Sequence, residues 1–199
     1  MKVKRQLARL EEIILQPLEG VTGEDWHRAP KGRWSLAQTL SHLAQGLDLV
    51  AGRLEARAVR TDMARRATPG QHLLRHLVLG VGKLPPGRQT PEATMPPERP
   101  DPELVAAQFR MGVERMATLA ETWPAERHQR IFVRHPVLGD LNLPEWARFF
   151  YVHGRHHAHQ IEVRQRWLKQ QAQKGQQRHG HGEKSQGARQ HRARSERKT

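Results

Sequence analysis

Residues 142–161 read Asn142-Leu143-Pro144-Glu145-Trp146-Ala147-Arg148-Phe149-Phe150-Tyr151-Val152-His153-Gly154-Arg155-His156-His157-Ala158-His159-Gln160-Ile161. Asn142 or Leu143 ahead of Pro144-Glu145 marks a helix start, because proline fits the first turn and a glutamate there faces the positive end of the helix dipole. Wound at about 100° per residue from Trp146, the chain puts Phe150 at about 40°, His153 at about 340°, His157 at about 20° and Ile161 at about 60°. Two imidazoles thus fall inside the core-facing stripe, four residues apart. There they stack on one helical face and can converge on one metal ion. Side by side and buried, they could not both be charged without cost. The plainer alternative is a pair of core-edge histidines bonded to backbone or water. HxxxH spacing also arises by chance in a chain with 13 histidines.

Working outward, three more long helices carry the same kind of signal. Leu7, Leu10, Ile14 and Leu18 recur at spacings of three and four, with Pro17 near the end. Ser35 is the N-cap of a second helix whose stripe is Leu36, Leu40, Leu43, Leu47, Val50 and Leu54, running to about Val59. Asp101-Pro102-Glu103 starts another, with Leu104, Val105, Phe109, Val113, Met116 and Leu119 facing inward. Thr68-Pro69 caps a short inserted helix over Leu73, Leu74, Leu77, Val78 and Val81. Between Leu84 and Pro102 stand seven prolines, so that stretch is a surface excursion rather than a helix interior. Ile131-Phe132-Val133 and the turn at Gly139-Asp140 suggest a short extended loop or minor hairpin. The last helix is expected to run to about Lys169. The reading is all-α: a four-helix bundle over 1–169 with a short inserted helix, then a basic, disordered tail over 170–199.

The net charge of +14 over 199 residues is shared unevenly. From Gln170 to Thr199 there are eight Lys/Arg and two Asp/Glu, leaving +6 on the tail and +8 on the body. Cysteine is absent, which excludes disulfides, thiolate metal sites and cysteine nucleophiles. Glu11 and Glu12 interrupt the N-terminal apolar stretch, against a signal peptide, and no apolar run reaches the roughly 18–20 residues of a membrane span. The expectation is a soluble, cytoplasmic protein with no membrane partner.

A third ligand candidate comes from the second helix. His42 lies about 100° off the leucine stripe, and its neighbours at i−3 and i+4 are Thr39 and Gly46, both small, which leaves space above the ring. The alternative is a boundary histidine packing beside Thr39. His72 and His76 also form HxxxH, but on a short glycine-ended helix without a third ligand, so a surface or packing role is assigned to them. His156 and His159 fall on the flank of the last helix. His135, ahead of Pro136, is a loop residue near the site. Gln38, Gln45 and Gln160 are candidate polar lining groups.

Trp34-Ser35-Leu36-Ala37-Gln38-Thr39-Leu40-Ser41-His42-Leu43 resembles the W-S-x-x-Q-x-x-x-H-L segment of the DinB/YfiT-like superfamily. His135-Pro136-Val137-Leu138-Gly139, Glu145-Trp146 and His153-Gly154-Arg155-His156-His157-Ala158-His159-Gln160 resemble its last loop and helix, and together suggest a domain-of-unknown-function branch. The resemblance covers roughly residues 5–168. It implies a four-helix bundle, often a homodimer, with a divalent metal on one histidine of the second helix and the HxxxH pair of the last. These map to His42, His153 and His157. Relatives include metal-dependent transferases using low-molecular-weight thiols such as mycothiol or bacillithiol, and isomerases of thiol adducts. The proline-rich excursion and the basic tail depart from the better-studied members.

The expected function is that of a metal-dependent enzyme, a thiol S-transferase or hydrolase-like catalyst acting on a small-molecule substrate, with zinc or nickel, or iron, on the three imidazoles. No carboxylate stands at an evident general-base position and HExxH is absent, which favours thiol activation over a glutamate-assisted scheme. Two rival readings stay open. One is a nucleic-acid or polyanion binding module acting through the tail, which lacks aromatics for base stacking. The other is a bundle that binds metal without catalysis.

Overall fold

Four helices of this chain begin where a side chain supplies hydrogen bonds that the first turn lacks. The computed structural model describes residues 2–60, 63–84 and 90–195, with side chains described as far as Lys174. Helix α1 is Lys2–Leu15, with Val3, Leu7, Leu10 and Ile14 buried. Helix α2 is Leu36–Glu55: Ser35 Oγ accepts from the Gln38 amide while the Gln38 side chain accepts from the Ser35 amide, a reciprocal capping box. Thr68 and Gln71 repeat that device at α3, Pro69–Arg75. Asp101 caps α4, Pro102–Thr122, by accepting from the amides of Glu103 and Leu104. At α6, Leu143–Ser195, Asn142 Oδ1 accepts from the Glu145 amide and Glu145 Oε2 accepts from the Asn142 amide, each at 3.0 Å.

Helices α1, α2 and α4 and the part of α6 up to Glu162 form a four-helix bundle. Its core is the set of stripes read from the sequence, with Leu7, Leu10, Ile14, Leu40, Leu43, Leu47, Phe109, Met116, Phe150 and Ile161 all buried. Two glycines set how closely the helices approach. A Cβ at Gly112 would stand 2.7 Å from Leu47 Cβ, so α2 and α4 meet there backbone against side-chain root. A Cβ at Gly154 would fall 2.2 Å from Leu10 Cδ1, so α1 seats its leucine in a notch of α6.

The expected minor hairpin is present: β1, Phe132–His135, pairs antiparallel with β2, Gly139–Asn142, in the register Phe132 to Asn142 and His135 to Gly139. His135 Nδ1 holds its turn by accepting from the amides of Val137 and Leu138, both at 3.1 Å. The hairpin sits against the start of α6, where Trp146 Nε1 donates to the Val133 carbonyl at 3.2 Å.

Several boundaries differ from the sequence expectation. The second helix ends at Glu55 and continues only as turns. The inserted helix α3 passes into a π-helical stretch, His76–Val81, closed by Gly82 at φ 78°. Of its five apolar residues only Val78 is buried, so the stripe does not serve as core. A further helix, α5, Ala125–Arg130, carries no apolar periodicity and buries none of its residues, which left nothing in the sequence to read. The excursion from 84 to 102 contains a 3₁₀ turn, Glu92–Thr94, with Thr94 buried.

The chain divides into two compact units, Met1–Glu162 and Val163–Thr199. The first contains the hairpin and the histidines of interest. In the second the backbone is helical to Ser195, past the Lys169 at which the periodicity stops. Gln, Lys, Arg and Ala all have favourable helix propensity even without an apolar stripe. The side chains from residue 175 on, and residues 196–199 altogether, fall outside the described residues, and so does the reading of the tail as disordered. No helix among the described residues is long and apolar enough to cross a membrane.

Candidate metal centre

The i,i+4 spacing on α6 puts His153 and His157 one above the other, and their Nε2 atoms face each other at 2.9 Å. Helix α2 brings His42 against both, its ring centroid 5.2 Å from that of His153 and 5.1 Å from that of His157. One nitrogen from each of the three rings lies within 4.8 Å of the other two. Among the described residues this is the single cluster of three or more such side chains with that convergence.

Hydrogen bonds at the back of the rings decide which nitrogens are free. His42 Nδ1 donates to the Thr94 carbonyl at 2.9 Å, so in the neutral ring Nε2 keeps its lone pair. His157 Nδ1 donates to Gln160 Oε1 at 2.8 Å, with the same result. The Gln160 amide in turn donates to His156 Nε2 at 2.9 Å, which fixes its orientation. A single proton between the Nε2 atoms of His153 and His157 satisfies that pair. Without it, both lone pairs join that of His42 in pointing at one spot. Outer-nitrogen tethering of this kind is what orients metal-ligating histidines, and the donor set therefore fits a divalent ion.

The electrostatics agree. Burial lowers the pKa of His42, partly opposed by its bond to Thr94. His157 is pushed down to about 3, by burial first and by the neighbouring His42 and His156 next, against the Gln160 bond that raises it. His153 is driven well below its ordinary value by burial and then by the four rings of His157, His42, His156 and His135. Neutral imidazole is the form that binds metal. Trp34 closes one side of the cluster, 5.0 Å from His42 and stacked at 6.4 Å on His157, and Phe149 stacks on His153 at 5.3 Å.

The remaining sequence candidates fall in different places. Gln160 bonds to His157 as described. His135 lies behind Phe149, 4.6 Å from that ring, and its Nδ1 is committed to the hairpin turn. Burial lowers its pKa to about 4. Gln38 uses its oxygen in the capping box and its amide on the carbonyls of Pro97 and Glu98, which ties the proline-rich stretch to α2. Gln45 donates to Ser41 Oγ at 3.2 Å on its own helix. His72 and His76 take no part in the cluster. The sequence reading missed Thr94, which sits in a stretch with no periodicity to mark it. It also missed the bond of His156 to Gln160, although their i,i+4 spacing would have suggested one.

The DinB superfamily model matches residues 6–161. The chain belongs to the DinB superfamily. The match nearly coincides with the first compact unit and takes in all three histidines. A solved structure described as YfiT from Bacillus subtilis, a probable metal-dependent hydrolase with an unusual four-helix bundle topology, superposes with a TM-score of 0.56. The superposition covers 84% of this chain and 87% of that one at 18% identity, a likeness of fold. No curated protein matches the chain.

Proposed function

We propose that this DinB superfamily member is a divalent-metal-dependent enzyme whose ion is held by His42, His153 and His157. One observation carries the reading: three neutral imidazoles converge within 4.8 Å while the outer nitrogens of two of them are tied back by Thr94 and Gln160. Three uncharged ligands leave the full charge of a zinc, nickel or iron ion, which when bound would act as a Lewis acid and lower the pKa of water or a thiol.

The surrounding residues favour a thiol. No carboxylate bonds to any of the three rings among the described residues, so none is placed to take a proton from water. A thiol at about 8.5 needs far less help than water at about 15.7. Trp34 and Phe149 give apolar walls against which the carbon skeleton of a small electrophile packs. The reading is therefore transfer of a low-molecular-weight thiol to a small-molecule substrate. Water in place of the thiol would give a hydrolase, the activity named for the YfiT structure.

Elemental analysis of the purified full chain tests the site. About one equivalent of zinc, nickel or iron is expected, lost in both His42→Ala and His153→Ala at unchanged helical content. Full metal content in both variants overturns the proposal. Assays of the loaded protein with a thiol panel and an electrophile, beside ester and amide hydrolysis, then separate transfer from hydrolysis.

A further inference from the structure

We propose that a second site, on the opposite face of α6 from the histidine cluster, binds a small phosphorylated molecule. A cleft of about 820 Å³ opens between α1, α3 and the start of α6. That volume lies in the range of about 300–1,000 Å³ usual for small-molecule sites. Pro144, Glu145 and Arg148 line it. On a helix at about 100° per residue Pro144 and Arg148 point away from Phe150, His153 and His157, and none of the three cluster histidines lines the cleft, so it is independent of the metal reading.

Its charge is unbalanced. Lys2, Lys4, Arg75 and Arg148 line the cleft, against a single lining carboxylate, Glu145. Both oxygens of Glu145 are already taken by Arg65, at 2.9 and 2.8 Å, and one also accepts from the Asn142 amide. Arg75 Nε reaches that carboxylate only at 3.7 Å. Glu121 pairs with Lys4. Arg148 has its Nε on a neutral acceptor, the Leu79 carbonyl at 2.9 Å. The cleft thus holds more cations than its one carboxylate, already shared with Arg65, can neutralise.

Two buried polar atoms of the cleft residues are also unsatisfied: Arg75 Nη1 and His128 Nε2 have no hydrogen-bond partner among the described residues. Leaving such groups unpaired is costly, most of all on a guanidinium that is only 14% exposed. His72 Nδ1 sits 2.7 Å from Arg75 Nη2 and holds the guanidinium in place. The His72–His76 pair, which has no part in the metal centre, thereby becomes wall and support for this cleft. Cations and an imidazole arriving from separate helices suit the several outward oxygens of a phosphate better than the one edge of a carboxylate. Val3, Leu79 and Ala120 leave apolar wall for the organic part of the ligand.

Calorimetric titration of the full chain with inorganic pyrophosphate, at about 0.15 M ionic strength to screen the charges of the basic C-terminal segment, tests the proposal. Saturable binding of one equivalent is expected. Arg75→Gln and Arg148→Gln should each weaken it about tenfold or more, and the tail variant Arg192→Gln/Arg194→Gln should leave it unchanged. Should Arg75→Gln fail to fold, Arg148→Gln decides. The proposal is overturned if millimolar pyrophosphate does not bind, if Arg148→Gln binds as tightly as the parent, or if only the tail variant loses binding.

Discussion

The backbone carbonyl of Thr94 accepts a hydrogen bond from His42 Nδ1 at 2.9 Å, across 52 residues of sequence. A main-chain atom in the proline-rich stretch therefore fixes the tautomer of a histidine on α2. Because the acceptor is backbone, changing the Thr94 side chain alone leaves it in place. Replacing Glu92–Met95 by a glycine-serine linker should weaken metal binding about 10- to 100-fold while the bundle stays folded. Metal competition titrations and circular dichroism on the same samples check this, and undiminished affinity would show the contact to be incidental.

Gln160 offers a cleaner probe of the same principle. Gln160→Ala removes the acceptor for His157 Nδ1 and should cost about 10- to 100-fold in metal affinity. Gln160→Glu keeps an oxygen at that position and should restore most of it. Equal losses in both variants would point to a role in packing rather than in ring orientation.

The chelated protein should lose stability in mild acid. The folded pKa values of His135, about 4, and His157, about 3, lie below the ordinary 6.5. Between those values the unfolded chain takes up protons that the folded chain refuses, so stability falls as pH drops from about 7 and levels off below the folded values. Thermal melts between pH 7 and 4 should show this decline. His135→Asn, whose side-chain oxygen can still accept from the hairpin turn, should make the decline shallower; a parallel slope would count against the assignment.

The two packing glycines should respond unequally to Ala. At Gly112 the obstacle is Leu47 Cβ, fixed to its backbone, so Gly112→Ala should cost roughly 1–3 kcal/mol of overpacking. A helix-propensity gain of about 1 kcal/mol offsets part of that. At Gly154 the obstacle is the methyl end of Leu10, and the loss should be recovered in part by Leu10→Ala in the same chain. Denaturant unfolding of the two single variants and the pair gives the comparison.

Much of this architecture could be read from residue spacing. The stripes of α1, α2, α4 and α6 are long, regular and capped by side chains of the expected kind, and the α6 wheel placed His153 and His157 inward. His42 stands out by its small neighbours Thr39 and Gly46, but helical periodicity says nothing about which helices are neighbours; that α2 faces α6 is what the resemblance adds. Thr94 was illegible because a carbonyl has no residue signature. Gln38 is ambiguous for the opposite reason: as the third residue of a capping box it has a local task, and sequence alone displays that task and a pocket-facing amide equally well. The α3 stripe failed because short apolar runs carry too few turns to show which side is covered.

Gly154 stands between the two histidines of α6, and Leu10 occupies the gap left by its missing side chain. The first helix of the chain thus acts as a template against which the last one is seated, and the spot where the imidazoles meet inherits its position from a leucine near the N-terminus. Changes at residue 10 will therefore be felt as changes in ligand strength, without any alteration to a ligand.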